Sequence, residues 1–254
     1  MQSVCLAFAE PDHGSDLASV ETRGDMVGSE VIVTGRKTWI ADADTASVVL
    51  VLCVTEPGAP RYENLSCVLV PLADTGVELR PICTMSGDMA LFDACFDGAR
   101  APIENIVGGR GNGWTVATAT LRSTRCERVL ECEREFWELV DTARRYGRDR
   151  DPLVRQQLAW AYSQVRIMRA LVSRPVSGDD SLITNVLWSQ YHRRLGEIAV
   201  DVMGSHSLVR PDGEAYATNC WQHAFLTSRA DTIAARTTEI QRTMIAERLL
   251  GLPG

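Results

Sequence analysis

The period of the hydrophobic pattern changes near Ala101, and no single-class fold accommodates both halves of the chain. Before that point, short runs rich in Val, Leu, Ile and Cys recur: SVCLAFA, SEVIVTGRKTWI, ASVVLVLCVT, LSCVLVPL, VELRPI and ALFDACFDG. Gly, Pro, Asn and Asp clusters separate them, which predicts strands joined by turns. Their close spacing predicts a small antiparallel β-barrel or sandwich. After RAPIENIVGGRGNGW the repeat lengthens. Val129, Cys132 or Glu133, Phe136, Val140 and Ala143 recur at three-to-four spacing, as do Leu158, Val165, Met168 and Val172. Asp151 and Pro152 form a cap and first-turn pair that starts the second helix. SRPVSGDDS and SHSLVRPDGEAY are the next breaks, and the tail TTEIQRTMIAERLLGLPG ends in a Gly-Leu-Pro-Gly stop. The pattern predicts an α+β chain, with a β domain over residues 1–100 and an α-helical bundle over 101–254.

A chain of 254 residues, 45% hydrophobic, is long enough to bury a sizeable core. Its net charge of −7 argues against non-specific nucleic-acid binding and against a basic membrane-binding patch. No apolar run approaches the length of a membrane span. MQSVCLAFAE has no basic region, and its apolar part is too short for a signal peptide. Eight cysteines without a CxxC pair read as reduced core thiols of a cytoplasmic protein. The four histidines are scattered, which predicts loop or surface positions and no zinc site.

The densest polar stretch in the strand-like half is FAEPDHGSDLAS, residues 8–19. Pro11 and Gly14 allow a bend, and Ser15 with neighbouring amides suits a phosphate; a plain surface turn is the alternative.

Taken in order with GRKTWI, VPLADTGVELRPI, GNGWTVATATL, DPLVRQQLAWAYSQV and TTEIQRTMIAERLLGLP, this loop resembles the acyl-CoA dehydrogenase family over nearly the whole chain. The resemblance implies a β domain followed by a helical domain, with FAD and an acyl thioester, on CoA or on a carrier protein, held between them. It also implies a role in lipid metabolism, and homo- or hetero-oligomers in which a related subunit completes the FAD site. The family's N-terminal helical domain would precede Phe8, where this sequence has seven residues, so the domain is either not encoded or cut off in a truncated product. Its absence implies bare apolar surface that a partner covers.

Residue by residue the match is uneven. Glu10, Pro11, Gly14, Ser15 and Asp16 fit the loop signature, which opens on Phe8 and places Ser15 towards cofactor and substrate. Ala9 stands where the family has a hydroxyl facing the flavin. Trp39 matches the aromatic residue packed on the flavin ring; otherwise it is a core residue of its strand. The hydroxyl that usually follows it is replaced by Ile40 and Ala41. Thr237 matches a nucleotide contact. Arg236 replaces the usual Gly before it, and either crowds a flavin or pairs with a phosphate or substrate carboxylate. Arg145 matches an arginine donated to a neighbouring subunit's pyrophosphate, or is a solvated helix residue.

The family's base is a carboxylate that removes an α-proton beside the thioester. One of its two usual positions here is Ala235. The other is a Glu-Arg pair that falls on Thr124-Arg125, leaving Arg125 on the substrate side. Glu127 lies one helical turn from that point and is the candidate base, or else a solvated member of CERVLECERE. Three readings stand: an FAD-dependent acyl-CoA dehydrogenase or subunit of one, a catalytically degenerate structural subunit, and a flavin-independent enzyme on the same fold.

Overall fold

The computed structural model describes residues 3–173, 180–209, 220–234 and 236–253, with the side chains of 122–128, 180 and 181 excepted. A β domain precedes a helical one. Eight strands form one sheet: β1 Val4–Ala7, β2 Arg23–Val27, β3 Glu30–Ala41, β4 Val48–Val54, β5 Leu65–Pro71, β6 Val77–Ile82, β7 Leu91–Pro102 and β8 Ile106–Val107. The order is β6-β7-β3-β2-β4-β5-β8, with β1 alongside β4. Most pairs are antiparallel; β1 and β2 each run parallel to β4.

The run VVLVLCV of β4 lacks polar alternation because both of its faces are covered. Val49, Val51 and Cys53 enter a core shared with Val31, Val33, Ile40, Phe92, Ala94 and Phe96. Leu50 and Leu52 enter a second cluster with Phe8, Leu17, Val20, Leu65, Cys67 and Ala117. Helix α1, Gly113–Arg145, closes that second cluster with its first turns, where Trp114, Val116 and Leu121 also pack. A Cβ at Gly113 would stand 2.6 Å from the Ser66 backbone, so glycine allows the helix to start directly on β5. The periodicity thus changes at Ala101, whereas the packing divides later. One compact unit is Met1–Thr84 with Asp88–Leu121, and the other is Met85–Gly87 with Arg122–Gly254.

The helical unit continues α1 and adds α2 Pro152–Val172, α3 Asp180–Met203, α4 Cys220–Asp231 and α5 Thr238–Arg248. The Asp151 carboxylate accepts from the Leu153 amide and Pro152 occupies the first turn, so the sequence signal for this helix start holds. Val129, Cys132, Phe136, Leu139 and Ala143 of α1 meet Val165 and Met168 of α2 and Leu195, Ile198 and Val202 of α3 in one core. The break SRPVSGDDS falls largely outside the described residues, as does most of SHSLVRPDGEAY.

Candidate active site

Two features of the β unit meet at the loop 8–16. Strand β3 places Val31 and Val33 inward, and Lys37 follows on the same odd-numbered phase with no side-chain exposure. Opposite it, after an earlier register shift between Val33 and Thr34, β7 pairs without a break from Thr34 with Asp97 to Lys37 with Ala94; the next pair is Ile40 with Phe92. Thr38 and Trp39 therefore face the single residue Asp93, the two-against-one count of a β-bulge. The bulge reverses the phase of the strand, so Ile40 turns inward and Trp39 outward. Trp39 adopts φ 60 and is 61% exposed, a left-handed backbone that is uncommon for a bulky residue. The alternative reading of Trp39 as a strand-core residue is thereby corrected: Ile40 takes the core position.

The loop is tied to this bulge. The Thr38 amide donates to the Ala9 carbonyl at 3.0 Å. The Thr38 hydroxyl donates to Asp93 Oδ1 at 2.5 Å. Lys37 Nζ donates to the Phe8 carbonyl and to Glu10 Oε1, each at 2.9 Å. Glu10 Oε1 also accepts from the Thr22 amide and Oε2 from the Glu21 amide, both at 2.8 Å. Burial pulls the Lys37 pKa down while the Glu10 carboxylate opposes that shift. Burial alone would raise the Glu10 pKa, but the Lys37 charge and the Glu21 amide reverse it, so the carboxylate is held below its ordinary value. At the far end of the loop Asp16 accepts from Ser19 Oγ at 2.7 Å and pairs with Arg61.

The β unit thus brings Phe8, Ala9, Trp39 and Ala41 into one neighbourhood. Phe8 is buried beneath the loop, Ala9 is half-buried, Ser15 is partly exposed in the bend, and Ala41 ends β3 on an exposed position.

In the helical unit, Thr237 caps α5, its hydroxyl accepting from the Ile240 amide at 3.4 Å. Arg236, beside it, adopts φ 85, and its Nη1 lies 3.1 Å from Met244 Sδ. The turn is held from below. Gln241 Nε2 donates to the Arg236 carbonyl at 2.7 Å, and Asn185 Nδ2 of α3 donates to Gln241 Oε1 at 2.9 Å, both side chains being buried. Arg145 is exposed in the last turn of α1. Glu127, Arg125 and Thr124 lie within α1, but their side chains fall outside the described residues, as does Ala235 altogether.

Two polar clusters escaped the sequence reading. One is Lys37 with Glu10; a lysine on the inward phase of an apolar strand was the available signal. The other is His192 of α3, set between Asp231 Oδ2 of α4 at 2.5 Å and Glu135 Oε1 of α1 at 3.5 Å, and stacked on Trp188. It corrects the expectation of loop or surface histidines, because His192 is only 16% exposed within a helix. The expectation of core thiols needs a smaller correction: Cys5, Cys53, Cys67 and Cys132 are buried, but Cys83 and Cys220 are exposed. Among the described residues, no group of three or more His, Cys, Asp or Glu side chains is arranged to hold a metal ion. No helix among them is long and apolar enough to cross a membrane.

Comparison with known proteins agrees with this geometry. Residues 5–96 match the acyl-CoA dehydrogenase middle domain, and residues 111–250 match the acyl-CoA dehydrogenase C-terminal domain. The chain is 39% identical to the acyl-CoA dehydrogenase IpdE1 of Mycobacterium tuberculosis, over 98% of this chain and 66% of that protein. It is 40% identical to IpdE1 of Mycolicibacterium smegmatis, over 98% of this chain and 67% of the relative. The chain therefore spans about two thirds of the length of these relatives. Among solved structures it superposes on the Tcur3481-Tcur3483 steroid ACAD with a TM-score of 0.87 and 26% identity, over 99% of this chain and 68% of that one. The ChsE4-ChsE5 complex from Mycobacterium tuberculosis shares the fold, with a TM-score of 0.78.

Proposed function

The chain belongs to the acyl-CoA dehydrogenase family, and from that premise we propose that it is a subunit of an FAD-dependent enzyme performing α,β-dehydrogenation of an acyl thioester. The observation that carries this reading is Trp39, an indole turned out of the core by a bulge and held at φ 60 beside the loop. Its broad flat face suits a planar ring system. Ala9 and Ala41 bring only backbone groups to that place, and the Ala9 carbonyl already accepts from Thr38. The residues present thus fit a flavin through stacking and main-chain contacts.

Bound there, FAD supplies the electron acceptor for the dehydrogenation. Trp39 would pack against its ring, and Phe8 and Ala9 would supply the adjoining loop. Ser15 and the loop amides suit a phosphate. Thr237 is assigned to the nucleotide, and Arg145 to the pyrophosphate of a neighbouring subunit. Arg125 and Arg236 are the cations assigned to the substrate side, and Glu127 to removal of the α-proton. The partner in this reading is a related subunit, as the paired name of the Tcur3481-Tcur3483 structure suggests. The buried free thiols suit a reducing compartment, and we place the protein in the cytoplasm.

A catalytically degenerate structural subunit is the second reading, favoured by the two alanines where hydroxyls face the flavin in relatives. Addition of an acyl-CoA to the purified, flavin-loaded protein separates the two. Bleaching of the flavin band that Glu127→Gln abolishes, with the cofactor retained, supports catalysis by this chain. Bleaching unchanged in Glu127→Gln removes Glu127 from the mechanism, and no bleaching in the wild type supports the degenerate subunit.

A further inference from the structure

We propose that Lys37 and Glu10 are positioning residues whose buried ion pair pins the bulge that presents Trp39. The inference rests on Trp39 being the stacking platform, and it concerns what holds that platform in place. Three observations converge on it. Lys37 is the last inward residue before the phase of β3 reverses, so its side chain is rooted at the bulge itself. Its ammonium, with no exposure, is bound through the loop, by Phe8 O and Glu10 Oε1. Glu10 in turn receives the Glu21 and Thr22 amides that lead into β2.

A buried ammonium is costly to keep, and an apolar side chain of similar length at this inward position would fill the core without that cost. What an apolar residue lacks is the link from β3 to the Phe8 carbonyl and the Glu10 carboxylate. That link fixes the loop whose Ala9 carbonyl holds the Thr38 amide, the residue directly before Trp39. Asp93 holds the same residue from β7. Thr38, directly before the left-handed Trp39, is thus clamped both from the loop and from β7, and a strained residue persists only where its surroundings fix it. Truncating either charge leaves the other buried without its partner, so Lys37 and Glu10 act as one unit.

The test uses the full chain labelled with 5-fluorotryptophan, whose six tryptophans give six fluorine resonances; Trp39→Phe assigns one of them. In Lys37→Met and Glu10→Gln, the Trp39 resonance is expected to shift or split into exchanging forms, while the Trp137, Trp160 and Trp188 resonances stay put. FAD added to the wild type is expected to move the Trp39 resonance, with at least tenfold weaker apparent affinity in both variants. A Trp39 resonance unchanged in the free variants overturns the positioning role, whatever FAD does. A wild-type Trp39 resonance indifferent to FAD overturns the platform reading instead, and the comparison of free proteins still decides the role of the pair. Should Lys37→Met fail to fold by circular dichroism, Glu10→Gln decides, because glutamine keeps the side-chain length and one carbonyl acceptor for Lys37 and the Thr22 amide, losing the charge and the acceptor for the Glu21 amide.

Discussion

Arg236 shows how much of this chain's chemistry depends on single backbone angles. Its φ of 85 lies where an L side chain is strained, and Gln241, braced by Asn185, holds its carbonyl in that turn. Strain of this kind costs roughly 1–3 kcal/mol, against roughly 0.5–1 kcal/mol lost to the greater freedom of an unfolded glycine. Arg236→Gly is therefore expected to raise stability by about 1 kcal/mol, read in urea unfolding. If the arginine serves a substrate anion, the same change weakens substrate binding. A variant less stable than the wild type would mean that the side-chain contacts of Arg236, including that to Met244, outweigh the strain. Trp39 is the second such residue. Sequence patterning alone leaves it open between core and surface, because a bulge is not written in the alternation of apolar residues. Only pairing with β7 reveals that two residues oppose Asp93.

At the scale of elements, close approaches and buried charges set the helical unit. A Cβ at Gly196 of α3 would lie 2.8 Å from the Phe225 Cα of α4. Gly196→Ala is expected to push the two helices apart and lower stability by roughly 2 kcal/mol, visible as a fall in thermal midpoint; an unchanged midpoint would contradict that packing. His192 joins α1, α3 and α4 electrostatically. Burial would lower its pKa, but hydrogen bonds to Asp231 and Glu135 outweigh it and raise the value from 6.5 to about 9. The charged groups acting on it are Glu135 of α1 and Asp231 of α4. A raised folded-state pKa stabilises fully below pH 6.5 and is lost as pH climbs through 9. The contribution amounts to roughly 3 kcal/mol at most. The gap in thermal midpoint between wild type and His192→Gln should be widest near pH 6 and narrow towards pH 9; a gap independent of pH would contradict the charged bridge.

The elements themselves were largely legible, since VELRPI, the β4 run and the Asp151-Pro152 start of α2 are local signals. β2 was not, because its five residues RGDMV carry two charges and a glycine and owe their conformation to pairing with β3. The site was legible as the motif order and not as its supports. The Lys37–Glu10 and Asn185–Gln241 contacts span 27 and 56 residues, which no local spacing encodes.

For the whole molecule, the two units and both matching domains place the chain in one enzyme family, while the lost hydroxyls at Ala9 and Ala41 set apart how it would hold a flavin. On the proposed reading, cofactor retention depends on Trp39 and the main chain more than on side-chain hydrogen bonds. The direct measurement is the visible absorption spectrum of the protein, purified alone and with a co-expressed related subunit, for wild type and Trp39→Ala. The account predicts flavin bands in at least one wild-type preparation and their loss from the matching Trp39→Ala preparation, with an unchanged circular dichroism spectrum. Colourless wild-type protein in both preparations, or equal flavin content in Trp39→Ala, would contradict it.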